Sequence, residues 1–316
     1  MLTVASIIFP VIAIIALGFF LVRANMFTSE QNTALNKFVF MIAAPALLFR
    51  NVAVTEFPET TPWGLWLSYY LAMFGCMALS IGFARVLLPR ISGPDCVIIG
   101  FGSSFSNTVM LGIPIILTAF GEAAALPLFL VLAFHGLLIF YYGILLMVLI
   151  TSSSRSLRGA ISALPQALSN QTVLIALLAG VLWNMSGANL PGPADGFLDI
   201  LGQAAIPLAL VAIGGTLATV PVRRSVGVAA YMSAFKLMIQ PTATYGVANC
   251  VFGLPPLWVA TITLLAAMPT GILASVLAEQ YRSASDAASS SIMVSSITSI
   301  ATLSFWLIFF APFLRG

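Results

Sequence analysis

The chain has 316 residues, of which 60% are hydrophobic and only 7% charged, with a formal net charge of +3. A soluble domain carries about 25% charged residues, so this composition excludes one. The basic residues are few and scattered, which excludes a nucleic-acid-binding face. Uncharged windows at 96–121, 123–154, 159–194, 200–222, 237–278 and 287–314 each exceed the ~20 residues that span a bilayer. Cys76, Cys96 and Cys250 are far apart. They form no disulfide framework or metal-ligand spacing and read as small core residues.

Taken in order, the apolar segments predict ten transmembrane helices at 2–22, 34–54, 63–86, 97–119, 123–150, 169–187, 196–219, 226–252, 256–279 and 287–313. The first has no base before it and Arg23 after it, the reverse of a secretory signal. It is expected to be a retained helix. Odd-numbered loops carry Arg23 and Lys37, Arg85 and Arg90, Arg155 and Arg158, Arg223 and Arg224, and Arg282. Even-numbered loops carry Glu56, Glu59, Glu122, Asp195 and Asp199, with Arg50 the one base nearby. The positive-inside rule then puts odd loops in the cytoplasm and both termini outside.

Two apolar segments contain breaks. Asn107-Thr-Val-Met-Leu-Gly-Ile-Pro114 interrupts the fourth span, and Ala266-Ala-Met-Pro269-Thr-Gly-Ile272 the ninth. Proline removes a backbone donor and clashes with the preceding turn. Freed backbone groups cannot face lipid, so paired breaks mark a cavity-lining site of a transporter. The second and seventh spans also correspond, through Ala43-Ala44-Pro45 and Ala204-Ala205-Ile206-Pro207. These ordered pairs suggest an inverted repeat of five helices per half. Prolines common to membrane helices are the plainer reading of any single pair.

A broken helix offers amides at the start of its second half and carbonyls at the end of its first, so dipoles can hold an anion without many charged side chains. Beside the breaks, Asn107 can donate through its amide, and Thr108 and Thr270 through hydroxyls. Gly112 and Gly271 permit close backbone approach, and Pro114 and Pro269 set the breaks. Lys236 lies ~10 residues, or ~15 Å, into the eighth span, where a charge is costly and functional. It reads as electrostatic support for the site, as an anion contact, or as a snorkelling side chain. His135 is the lone histidine, a core residue or a lining one. The serines of the tenth span, Ser289 to Ser299, read as helix packing or as a pathway. Glu122 and Glu279, at the far ends of the broken helices, are expected to face water.

At these residues the sequence resembles the auxin efflux carrier family. Asn107 to Pro114 with Phe120-Gly121-Glu122 resembles the family's fourth-helix motif. Ala266 to Ile272 with Ala278-Glu279-Gln280-Tyr281 resembles its ninth-helix motif, and Phe38 to Phe49 its second helix. The resemblance implies an all-α integral membrane fold shared with bile-acid sodium symporters and sodium/proton antiporters, in which the fourth and ninth helices cross. It implies scaffold helices in 1–60 and 163–222, transport helices in 61–162 and 223–316, an elevator mechanism, and a homodimer through the second and seventh helices. It further implies a small carboxylate substrate, of the malonate or malate kind in bacterial members, contacted by Asn107 and near His135. A basic residue stands before the matching proline in plant relatives, as Lys236 stands before Pro241. The acidic and basic pair of the plant third helix is missing from Trp63 to Tyr70, and 151–168 leaves only a short connection. Mechanisms using either feature do not carry over.

The alternative is a sodium- or proton-coupled carrier of the bile-acid symporter type. A single histidine, the lack of an embedded aspartate pair and the lack of metal-ligand spacing argue against an intramembrane enzyme. No Gly-rich phosphate-binding motif supports ATP drive, and no cofactor or metal is expected. The expected partners are the lipid bilayer, a carboxylate and a second copy of the chain.

Overall fold

The computed structural model describes residues 2–55, 62–88, 91–151, 172–219 and 225–312. Arg90, Arg155, Arg158, Arg223, Arg224, Glu56 and Glu59 lie outside the described residues, and so do the loop signs read from them. Within those residues the chain is almost wholly helical, with no sheet beyond a single antiparallel bridge. Ser29–Val54, Trp63–Leu87, Glu122–Thr151, Gly192–Thr219 and Ser285–Phe309 are each long and apolar enough to cross a membrane. Shorter apolar helices are Phe9–Arg23, Gly93–Gly102, Thr108–Phe120, Ile175–Met185 and Pro256–Ala266.

In chain order the α-helices are α1 (Leu2–Arg23), α2 (Ser29–Phe38), α3 (Ala44–Val54), α4 (Trp63–Leu87), α5 (Gly93–Gly102), α6 (Ile113–Phe120) and α7 (Ala125–Thr151). They continue as α8 (Thr172–Met185), α9 (Gly192–Thr219), α10 (Val226–Ala234), α11 (Gln240–Gly246), α12 (Pro256–Ala266), α13 (Leu273–Gln280) and α14 (Ser285–Phe309). Three prolines, Pro45, Pro114 and Pro241, sit at the start of an α-segment directly after a π-turn: Val39–Ala43, Thr108–Gly112 and Phe235–Ile239. A proline has no amide for the i−4 carbonyl and its ring crowds it. The wider π-turn accommodates both losses without unwinding the helix. Pro207, in contrast, lies inside the α-helix Gly192–Thr219, so Pro45 and Pro207 do not share a local geometry.

The chain divides into two compact units. One comprises Met1–Thr61, Val109–Phe134 and Ala167–Thr219. Here α1 packs along α9 through glycines. A Cβ at Gly18 would strike the Val211 carbonyl, and one at Gly214 the Ile15 carbonyl. Such contacts let two backbones close on each other where the hydrophobic effect gives no drive between helices. The Asn184 amide ends α3 by donating to the carbonyls of Val52, Ala53 and Thr55 at 3.3, 3.0 and 2.8 Å, groups a helix C-terminus leaves open. Arg50 pairs with Asp195 at 2.6 Å and Asp199 at 2.9 Å in the first turns of α9, which accounts for the one base near the acidic loops.

The other unit comprises Pro62–Thr108, His135–Gln166 and Val220–Gly316. In it α4 packs on α5, α11 and α12, and α14 packs on α10 and α13. Ala84, Cys96, Ile99, Met232 and Ala287 form a buried cluster. Cys76 and Cys96 are core residues as expected, but Cys250 is exposed. It lies in the helical turn Val247–Val251, where its neighbours Asn249 and Val251 are exposed as well.

Candidate functional site

The ninth-span break falls where the sequence puts it: α12 ends at Ala266 and α13 begins at Leu273. The fourth-span break lies earlier than expected. Helix α5 stops at Gly102, and the unwound stretch is Ser103 to Asn107, whereas Pro114 stands in the resumed helix. The cause is local. The Ser104 hydroxyl turns back onto the carbonyls of Gly100 (3.0 Å) and Phe101 (3.2 Å), offering the backbone an alternative to the helical ladder. The Ser103 hydroxyl accepts from Ser80 at 2.9 Å.

The two breaks pair with each other inside the second unit. The Gly271 amide donates to the Phe105 carbonyl at 2.9 Å, and the Asn107 amide to the Pro269 carbonyl at 2.8 Å. Ser106 and Thr270 face each other across this antiparallel bridge, so backbone groups freed by the breaks satisfy one another. A Cβ on Gly271 would collide with the Phe105 ring, the close approach that its glycine permits. The Thr270 hydroxyl donates to the Gly102 carbonyl at 2.9 Å, and the Thr270 amide donates to the Ser295 hydroxyl at 3.0 Å. One serine of the last helix therefore joins the site. Ser291 and Ser299 turn back onto their own helix.

Lys236 is fully buried, and its ammonium donates to the Ala266 carbonyl at 2.5 Å. It thereby places a cation at the negative end of α12. Insertion of a lone lysine at mid-membrane costs about 2.5–3.5 kcal/mol at the least. A hydrogen bond to a charged group returns about 1.5–3 kcal/mol. One carbonyl thus offsets part of the cost.

His135 is buried, with Nε2 3.2 Å from the Ser106 carbonyl oxygen. A carbonyl only accepts, so Nε2 carries the hydrogen and Nδ1 is left as an acceptor. Its ring stacks on Phe105 (centroids 5.1 Å apart, planes at 7°) and meets the Tyr69 ring edge-on at 5.5 Å. His135 Nδ1 is buried and closes no hydrogen bond, and the buried Tyr69 and Ser106 hydroxyls lie beside each other. Asn107 is half-buried, and among the described residues its side-chain amide has no protein partner. Thr108 is buried beside it.

Asn107, Thr108, His135, Lys236, Pro269, Thr270 and Gly271 thus belong to one unit, and Gly112 and Pro114 to the other. Pro114 there lines a small apolar cavity with Val39, Ala44, Val109 and Ala205. Sequence reading missed Tyr69, Ser103, Phe105 and Ser106. The run Gly100-Phe-Gly-Ser-Ser104 was the available signal, since small and hydroxyl residues together weaken a helix. Glu122 and Glu279 are exposed, as expected.

Apolar helices interrupted by two loops that hydrogen-bond to each other define an integral membrane protein with a polar interior. The chain belongs to the membrane transport protein family, that of the auxin efflux carriers, whose model matches residues 3–158 and 161–307. It is similar to a Rhizobium meliloti protein named "Putative malonate transporter", 27% identical over 303 residues, 96% of this chain and 94% of that one. It is also similar to an "Uncharacterized transporter" of Methanothermobacter thermautotrophicus, 26% identical over 301 residues, 95% of this chain and 96% of that one. The protein is a multi-pass membrane transporter and not an enzyme.

Proposed function

We propose that the protein carries small organic carboxylate anions across the cell's inner membrane, binding them at the paired breaks. The observation that carries this reading is the Asn107 carboxamide, half-buried at the end of the bridge and without a partner among the described residues, with the cation Lys236 bonded to Ala266 three residues before Pro269. Amide and hydroxyl donors beside a buried ammonium suit an anion. Asn107, Thr108, His135, Pro269, Thr270 and Gly271 form the binding side of the site. The malonate in the name of the Rhizobium meliloti relative agrees with a short carboxylate.

The mechanism we propose is alternating access of the elevator type across ten spans arranged as two inverted repeats. Segments 61–162 and 223–316 carry the substrate. Segments 1–60 and 163–222 stay fixed and dimerise through the second and seventh spans. Both termini lie outside the cytoplasm. Coupling to a proton or sodium ion is the second reading, favoured by the buried acceptor His135 Nδ1. The test is uptake of labelled malonate, malate and monocarboxylates into liposomes, with voltage, proton and sodium gradients imposed separately. Accumulation driven by voltage alone supports anion uniport. Accumulation that requires a proton or sodium gradient supports the second reading, and no carboxylate flux under any gradient refutes both.

A further inference from the structure

Away from the paired breaks, the second unit contains a cavity of about 450 Å³, a volume in the range of ligand sites. Ile91, Ile99, Val228 and Ala287 line its apolar part. Asp95, Ser225, Arg282, Ser285 and Asp286 line its polar part. Arg282 and Asp286 are exposed and carry opposite charges, yet neither closes an ion pair among the described residues. The Asp95 carboxylate accepts from the hydroxyls of Ser283 at 2.6 Å and Ser92 at 2.7 Å, and it too meets no cation among them. One guanidinium and two carboxylates thus border a single space without neutralising one another. Asp95 stands in the first turn of α5 and Asp286 in the first turn of α14. Helix α14 has 25 residues and is ~37 Å long, more than the ~30 Å hydrocarbon layer, so its charged first turn belongs at the level of lipid headgroups. Beside the cavity the apolar surface faces outward: Val226, next to Ser225, is exposed, and so are Val86 and Leu87 in the last turn of α4.

We infer that this cavity holds the headgroup of a zwitterionic phospholipid with a primary amine, phosphatidylethanolamine, its phosphate on Arg282 and its ammonium on Asp286 and Asp95. Guanidinium with phosphate and ammonium with carboxylate are both charge-assisted pairs, and the two charges of one headgroup match the two signs that border the cavity. An ammonium has three N–H donors for carboxylates, whereas the quaternary amine of phosphatidylcholine has none. An anionic headgroup would face two carboxylates against one guanidinium, a net repulsion. The acyl chains would lie on the exposed apolar side chains beside the cavity, which a water-soluble zwitterion would leave uncovered. Two walls of the cavity lead to the transport site. Helix α5 runs into the unwound stretch at Ser103, and α14 carries Ser295, which accepts from the Thr270 amide. A headgroup bridging the first turns of α5 and α14 braces both helices. The inference does not depend on which substrate is carried.

The test measures binding of phosphatidylethanolamine, phosphatidylcholine and phosphatidylglycerol of matched acyl chains to the purified full-length protein by native mass spectrometry, for wild type, Asp286→Asn and Arg282→Gln. Both side chains are exposed, so neither change should unfold the protein, and the unfolding temperature checks this. Wild type should prefer phosphatidylethanolamine by about three- to fivefold, the worth of a partly exposed ion pair. Asp286→Asn should lower phosphatidylethanolamine to the level of phosphatidylcholine, because only the ammonium is lost. Arg282→Gln should weaken both of these lipids alike, because they share the phosphate. Phosphatidylethanolamine should also raise the wild-type unfolding temperature more than phosphatidylcholine does. A wild type that binds the three lipids equally, or prefers the anionic one, overturns the assignment. So does an unchanged preference for phosphatidylethanolamine in folded Asp286→Asn. Soluble glycerophosphoethanolamine that binds as tightly as the lipid would assign the cavity to a water-soluble zwitterion and overturn it as well.

Discussion

Asn107 differs from its neighbours in having a side chain without a partner among the described residues. Its backbone amide is committed to Pro269, while its carboxamide is half-exposed and unpaired. The alternative role, capping freed backbone, therefore falls to other residues: Ser104, Thr270 and Ser295 do it. Asn107→Ala should weaken binding of a small carboxylate by roughly ten- to a hundredfold, the loss of one hydrogen bond worth ~1.5–3 kcal/mol to a charged group. Asn107→Asp should weaken it further by placing a negative charge beside the anion. Calorimetry on purified variants checks both, and an aspartate variant that binds like wild type would remove Asn107 from the site. Thr270 is the structural counterpart. Thr270→Val leaves the buried Gly102 carbonyl without its donor at about 1–3 kcal/mol, lowering the unfolding temperature. Thr270→Ser, which keeps the hydroxyl, should recover most of the loss.

The two breaks are built by different means. The ninth-span break contains its proline, whereas the fourth-span break is made by serines that bond back to their own turn, with Pro114 housed one turn later beyond a π-turn. Pro269→Ala should therefore impair transport more than Pro114→Ala, since alanine can extend α12 only where the proline itself stops it. Equal, wild-type flux in both would show that neither proline maintains the site. Gly271→Val should abolish flux while the protein still inserts, because any Cβ there meets the Phe105 ring. The positions of the apolar helices were legible in sequence, since their length and lack of charge have one physical solution in lipid. The ninth break was legible for the same reason that proline is: it acts alone. The exact site of the fourth break was not, because hydroxyl back-bonding competes with the helix by small margins that context decides. Nor was the open state of Gln240 and Thr263, since being unpartnered is a property of the packed interior and not of the residue.

At the scale of the whole molecule, orientation remains a matter of charge. Lysine and arginine near span ends are retained on the cytoplasmic side, and acidic residues contribute little. The described bases Arg23, Arg85 and Arg282 fall in odd-numbered loops, while Asp195 and Asp199 are engaged by Arg50 at the start of α9. That ion pair matters for the reading. It removes Arg50 from the count of free bases, so the even side keeps no unpaired base among the described residues. Orientation can be read by labelling single cysteines with an impermeant thiol reagent, in a background where Cys76, Cys96 and the exposed Cys250 are replaced. Ala24→Cys and Asp286→Cys, both at exposed positions flanking odd loops, should react only from the cytoplasmic side. Ala188→Cys, exposed between α8 and α9, should react only from outside. Ala24 and Asp286 labelling from opposite sides would show that the number of crossings between them is odd, and the ten-span arrangement, with its two opposed halves, would fall with it.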